Sequence, residues 1–565
     1  MNVESTDRRP EGWWRSAVVY QVYPRSFQDS NDDGIGDLRG ITSRLDHLSE
    51  LGVDVVWLSP VYRSPQADNG YDISDYQDID PVFGTLADLD ELIAALHARG
   101  MKLMMDLVVN HTSDRHPWFI ESRDPASPRR DWYFWRPPRP GHAPGTEGAE
   151  PDGHPAAFAP SRWIHDPSSG EYYLALFSPG QPDLNWENEA VRQTVYRMMR
   201  WWVARGVDGF RMDVINLISK PAAITNGGPV VPTEFFERGS RLDEFLAEMN
   251  REVGLDEQRL LTVGEMPGST VETAILATDP SRHELNMVFT FEHMMLDNEP
   301  GGTKWDLADL SLPVLKANLA RWQKELEGRG WNSLYLDNHD QPRAVSRFGD
   351  DSPAHRVNSA KTLATALHLH QGTPYIYQGE EFGMTNAPLT EIEHYRDLES
   401  LNHHARATAA GVPEEVILGA LAARSRDHAR TPVQWDDSAH AGFTRATPWF
   451  AVNPNYTDIN AAADRQDPHS VFAHYRRLIA LRHRDETVRE GRFDLLLPEH
   501  EQLWAFTRTL GDDVLLVIAN CSSQPADIPD TGLPQVAGAA LVLGTHLGEM
   551  SDVLAPWESR ILRLP

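Results

Sequence analysis

Cysteine is nearly missing from this chain: its 565 residues include only Cys521, so no internal disulfide can form. Long apolar runs are missing too, and none reaches the roughly 18 residues that a membrane-spanning helix needs. The opening MNVESTDRRPEGWW has no apolar stretch of the kind a secretory signal uses. Positive charge is scarce: 52 Lys and Arg stand against 83 Asp and Glu, a formal net charge of −31. Nucleic acid and anionic membrane would repel such a surface, so neither is an expected partner. No glycine-rich turn opens a helix after the first strand candidate, and no GxxxxGK[ST] phosphate loop occurs. There is no G-x-S-x-G nucleophile elbow and no tight His/Cys cluster with zinc spacing. A cytoplasmic protein is the expectation that remains.

What is present is regular. β-rich runs occur at Ala17–Tyr23, Val53–Leu58, Lys102–Val108, Gly209–Val214, Leu260–Gly264, Leu285–Phe289, Ser333–Leu336 and Pro374–Tyr377. Leu86, Leu89, Ile93 and Leu96 recur at helical spacing before the third run. Val191, Val195, Met198, Met199 and Trp202 do so before the fourth. Eight such runs with helical intervals predict an α/β fold, a (β/α)8 TIM barrel built from residues 1–110 and 184–485, over an open doubly wound sheet. Residues 111–183, rich in Pro, Gly, Asp and aromatics, are too long for a loop and predict a subdomain inserted after strand 3. From 486 to 565, runs such as LWAFT and VLLVI between polar turns predict a C-terminal antiparallel β-sandwich.

The stretch GFRMDV at 209–214 reads as a buried strand ending in a charge pair, Arg211 and Asp213. Strand alternation turns both side chains to the same side. Desolvated charges must be balanced or used in chemistry. Carboxylates recur at other strand ends: Asp106 after KLMM, Glu265 after LLTVG, Asp340 after SLYLDNH. Acids gathered at one end of a barrel mark the place where its chemistry happens. His111 and His339 each lie just beyond a strand, where an imidazole suits hydrogen bonding to sugar hydroxyls. In DSNDDGIGD, Asp29, Asn31, Asp33 and Asp37 place oxygens at alternate positions with glycines between. That ligand set predicts a structural Ca²⁺ in preference to Mg²⁺, although the glutamate-terminated helix-loop-helix is lacking.

Taken together these segments resemble the α-amylase superfamily, glycoside hydrolase family 13, in its oligo-1,6-glucosidase and α-glucosidase branch. Its four signature regions stand in order as DLVVNH (106–111), GFRMDVIN (209–216), VGEM (263–266) and DNHD (337–340). YQVYPRSFQDSNDDGIGDLRGI, QPDLNWEN, ELNMVFTFEHM, GTPYIYQGEE and SRDHARTPVQWD extend the resemblance over nearly the whole chain.

The resemblance implies Asp213 as nucleophile, Glu265 as general acid/base and Asp340 as the third carboxylate, favouring a distorted sugar ring. It implies that Arg211 keeps Asp213 ionised and that His111 and His339 bind hydroxyls of the terminal glucose. Asp68 and Arg426 would grip the non-reducing tip, with Tyr71 as the aromatic platform. The metal loop becomes Asp29, Asn31, Asp33, the Ile35 carbonyl and Asp37. Retaining chemistry needs the two carboxyl groups about 5–5.5 Å apart, with the acid/base pushed up by carboxylate neighbours so that it holds a proton near neutrality. The implied activity is exo-hydrolysis of terminal α-linked glucose from short oligosaccharides, with no organic cofactor. Val214 is the residue that implies an α-1,6 preference, since the branch tends to carry valine there in 1,6-preferring enzymes. An α-1,4-preferring or glucosyl-transferring enzyme acting on maltose or sucrose is the alternative, and a non-catalytic glycan-binding or scaffold protein a remote one. Sucrose isomerases carry an RLDRD-like segment past FEHM, where this chain reads LDNEPGGTKWDLADLSLP, so isomerisation is not expected.

Overall fold

The computed structural model describes residues 10–221, 224, 239–546 and 550–565. All eight predicted barrel strands form: β1 (Val19–Val22), β2 (Val55–Leu58), β3 (Lys102–Leu107), β4 (Gly209–Met212), β5 (Leu261–Glu265), β6 (Met287–Phe289), β7 (Ser333–Leu334) and β8 (Thr373–Tyr377). Their order in one sheet is β6-β5-β4-β3-β2-β1-β8-β7, which is chain order apart from the place where it is cut. Parallel neighbours in chain order, with helices between, are the (β/α)8 barrel. β1 to β6 and β8 are buried residue by residue except Lys102, so the apolar runs lack polar alternation, as expected of a sheet covered on both faces.

Helix α1 (Leu86–Ala98) matches the first predicted helical pattern and α2 (Glu189–Arg205) the second. In α2, Val191, Val195, Met198, Met199 and Trp202 are all buried, so the apolar stripe faces the core. Asn188 caps it, its side chain accepting the Ala190 N–H, and Gly206 ends it at φ 112°, a conformation that favours glycine.

The predicted insertion contains a three-stranded antiparallel sheet in which Glu171–Leu174 pairs with both Trp135–Arg136 and Trp163–Asp166. The C-terminal region forms a five-stranded antiparallel sheet from Arg492–Leu496 to Ser559–Arg563, with a two-stranded companion. The chain also divides into two compact units. Leu58–Ile93 and Leu103–Thr290 fall mainly in one compact unit, and Gly12–Trp57, Ala94–Lys102 and Phe291–Pro565 in the other. Each unit carries its own group of charged residues.

Candidate active site

In the first unit, strand register does the positioning. Asp106 on β3 lies opposite Arg211 on β4, and Gly264 on β5 opposite Met212, so Glu265 comes level with Asp213. The Arg211 guanidinium, 1% exposed, serves three carboxylates. Its Nη1 donates to Asp106 Oδ1 at 2.6 Å and to Asp213 Oδ1 at 2.7 Å, and its Nη2 lies 2.7 Å from Glu265 Oε2. Glu265 Oε2 also accepts the Val214 N–H at 3.1 Å. Tyr71 donates its hydroxyl to Asp106 Oδ2 at 3.1 Å, with its ring 5.8 Å from the guanidinium carbon. Burial pushes the Asp213 carboxyl well up; Arg211 opposes this, while Glu265 and Asp106 add to it. One cation here faces three buried acids, Asp106, Asp213 and Glu265.

Val214 has φ 35° and ψ 43°, a left-handed backbone that is an outlier for a β-branched residue. That turn aims its N–H back at Glu265. Val214 belongs to one buried apolar cluster with Phe134, Trp163, Leu174 and Leu217, so the insertion and the strand-end turn share a core.

Around these acids lies a polar network that sequence reasoning assembled only in part. His111 Nε2 lies 3.0 Å from the Tyr71 carbonyl and 3.3 Å from Gln181 Nε2, which donates to Asp68 Oδ2 at 2.9 Å. Burial lowers the His111 pKa, with Asp183 and the Tyr71 carbonyl opposing. Beneath it, the ammonium of Lys220 donates to Asn110 Oδ1 at 2.5 Å, to the Leu217 carbonyl at 2.7 Å, and lies 2.5 Å from Asp183 Oδ2. Asn110 Nδ2 then links Asp183 at 3.1 Å to His111 Nδ1 at 3.2 Å. Gln181 and Asp183 lie in QPDLNWEN, but nothing local assigns them a role; Lys220 carries no sequence signal at all.

The second unit gathers His339, Asp340 and Arg426. His339 Nδ1 meets Gln21 Nε2 at 2.9 Å, and its ring stacks on Tyr23 at 6.3 Å. Arg426 Nη1 and Arg430 Nη2 each donate to Asp340 Oδ1 at 3.0 Å. Both also grip Asp397, Arg426 Nη2 at 2.6 Å and Arg430 Nη1 at 2.9 Å. Burial alone would raise the Asp397 pKa, but the two arginines hold it down to about 2. A second knot supports this one: Asp297 accepts from Arg347 Nε at 2.9 Å and Arg424 Nη1 at 2.8 Å. Asp297 lies in the LDNEPGG stretch that follows FEHM. Asp397, Arg430 and Asp297 were not foreseen, because each lies in a stretch without strand-end pattern.

In the expected metal loop, Asp29 Oδ1 accepts the Asn31 and Asp32 N–H groups at 2.9 Å, and its Oδ2 the Gly34 N–H at 2.8 Å and the Thr444 hydroxyl at 2.6 Å. Asn31 Oδ1 accepts from Asp33, Asp33 Oδ1 from Ile35, and Asp37 Oδ1 from Gly40. The oxygen-only donor set has the chemistry of a hard-cation site. Among the described residues no group of three or more His, Cys, Asp or Glu side chains is placed to hold a metal ion.

Known proteins resemble this chain over nearly its full length. The alpha amylase catalytic-domain family matches residues 21–491. An oligo-1,6-glucosidase of Parageobacillus thermoglucosidasius is 54% identical, covering 98% of this chain and 99% of its own. The crystal structure of a Bacillus licheniformis trehalose-6-phosphate hydrolase superposes with a TM-score of 0.90 at 46% identity, over 98% of this chain and 99% of that one. That of an isomaltulose synthase from Klebsiella sp. LX3 superposes with 0.92 at 40% identity, over 99% and 100%.

Proposed function

This chain belongs to the α-amylase family of carbohydrate-acting enzymes, and on that premise we propose that it is an exo-acting, retaining α-glucosidase with a preference for α-1,6 bonds. The observation that carries this reading is the single guanidinium of Arg211 shared by Asp213 and Glu265 at the ends of adjacent strands. Asp213 attacks the anomeric carbon as Glu265 protonates the leaving oxygen, and Glu265 then activates water against the glucosyl-enzyme. Arg211 favours the ionised nucleophile, which substrate binding must leave unprotonated. Asp340, steadied by Arg426 and Arg430, binds hydroxyls of the distorted ring, as do His111 and His339. Asp68 and Arg426 hold the non-reducing tip, and Tyr71 lies beneath the sugar. Calcium in the Asp29–Asp37 loop is part of the same proposal, supported by the oxygen donor set, and so is a cytoplasmic location.

Linkage preference rests on Val214. A β-branched apolar wall beside the nucleophile crowds an α-1,4-linked second ring, whereas the extra torsion of an α-1,6 bond lets that ring swing clear. Such discrimination is worth about 1–3 kcal/mol, a preference and not exclusivity. The test is kcat/KM on isomaltose and maltose for the wild type, Val214→Thr and Val214→Ala. Isomaltose should be cleaved at least as well as maltose, with both variants swinging toward maltose; an unmoved ratio refutes the wall. The likeness to an isomaltulose synthase favours one second reading, glucosyl transfer from sucrose. Timed product analysis with sucrose separates it, since hydrolysis yields only monosaccharides.

A further inference from the structure

Behind the segment that carries His339 and Asp340 lie two acids that the reaction does not use. Asp337 is 2% and Glu380 7% exposed, and their carboxyl groups are in hydrogen-bond contact. Glu380 Oε1 accepts the Tyr475 hydroxyl at 2.5 Å, and its Oε2 the Tyr377 N–H at 3.1 Å. Asp337 Oδ2 accepts the Ala344 N–H at 2.9 Å, while the buried Oδ1 receives no N–H or O–H donor among the described residues. Both acids line a cavity of about 10 Å³ with Leu336, Leu363, Met384 and Tyr475, room for no more than a water molecule.

Two ionised carboxylates have no proton to put between them, and at contact in a dry interior they repel. The charges facing the pair do not cure this. Glu381 adds a third acid, held by the Tyr20 hydroxyl at 2.9 Å and by His47 Nε2 at 2.8 Å. Arg343 is the cation facing Asp337, but it donates its N–H groups to the carbonyls of Gln378, His428 and Ala429. Tyr475 and Tyr377 meet Glu380 as neutral donors.

We propose that Asp337 and Glu380 share one proton, which acts as a structural ligand tying the Asp337–Asp340 segment to the turn after β8, so that Asp337 is a positioning residue for His339 and Asp340. The positioning role rests on the sugar-binding reading of those two residues; the shared proton does not. Burial pushes both acids up, Glu380 well above the usual range, with Asp337 adding to the rise in Glu380 and Arg343 opposing that in Asp337. A folded pKa above the unfolded value means that this contribution to stability is full at low pH. It fades as pH rises past the ordinary carboxylate range and is gone once the folded pair ionises.

The discriminating measurement is an infrared difference spectrum at pH 7 between the wild type and Asp337→Asn, whose amide can donate to Glu380 in place of the proton. Loss of a protonated-carboxyl band is expected; loss of a carboxylate band instead overturns the shared proton. In the same pair, the alkaline limb of kcat/KM should move to higher pH while kcat at pH 6 stays within about threefold, because geometry is kept. An unmoved limb overturns the positioning role. Glu380→Gln supplies the same two readouts if Asp337→Asn does not fold.

Discussion

Lys220→Met is the perturbation whose size can be worked out most directly. The side chains of Lys220 and Asp183 are 1% and 0% exposed, and the ammonium makes three polar contacts of 2.5–2.7 Å. Methionine keeps much of the length but leaves Asp183 as a buried carboxylate with two donors, the Leu176 N–H at 2.9 Å and Asn110 Nδ2 at 3.1 Å. Breaking one side of a buried pair costs about 3–5 kcal/mol. For a cooperative transition, ~2.1 cal/mol/K per residue over 565 residues is about 1.2 kcal/mol/K, which converts that cost to a Tm loss of about 2.5–4 °C. Asn110 also loses its ammonium partner and it contacts His111, so KM should rise more than kcat falls. Adding Asp183→Asn removes the stranded charge, so the double variant should recover at least half of the lost Tm. Scanning calorimetry of the four proteins in this cycle decides it. An unchanged Tm in Lys220→Met, or a double variant worse than the sum of the singles, refutes the argument that a stranded charge sets the cost.

Asp213→Asn keeps the size and removes the attacking charge, so activity should fall by at least ~10³-fold with the Tm retained; near wild-type turnover would disprove the nucleophile assignment. A chelator should lower the Tm, and added Ca²⁺ should restore it, whereas Asp29→Ala combined with Asp33→Ala should make the Tm insensitive to both. An unmoved wild-type Tm would argue that the loop is held by its own amides alone.

The strands were legible because continuous apolar runs of four to seven residues, spaced by helical patterns, leave few other solutions in so long a chain. Asp213 and Glu265 could be picked out as candidates because a carboxylate at the end of a buried strand must be paired or used in chemistry. What pairs with what was not legible. Asp397 and Arg426 are 29 residues apart, Asn110 and Lys220 110 apart, and Gln21 and His339 318 apart, and no local pattern encodes such meetings. Nor was the backbone at Val214, because positive φ is signalled by Gly or Asn and never by valine. That conformation costs on the order of 1–3 kcal/mol. Its N–H reaches Glu265, but glycine would deliver the same N–H without strain, so the hydrogen bond alone cannot explain a valine there. The side chain must supply the difference. Its burial in the cluster that includes Phe134, Trp163 and Leu217 supplies part, as apolar burial of order 1.5 kcal/mol or more. Val214→Gly separates the two contributions: it keeps the N–H while removing both the strain and the wall. If the wall sets the linkage preference, the isomaltose-to-maltose ratio should collapse in this variant although Glu265 keeps its donor; if the ratio holds, the backbone alone does the work.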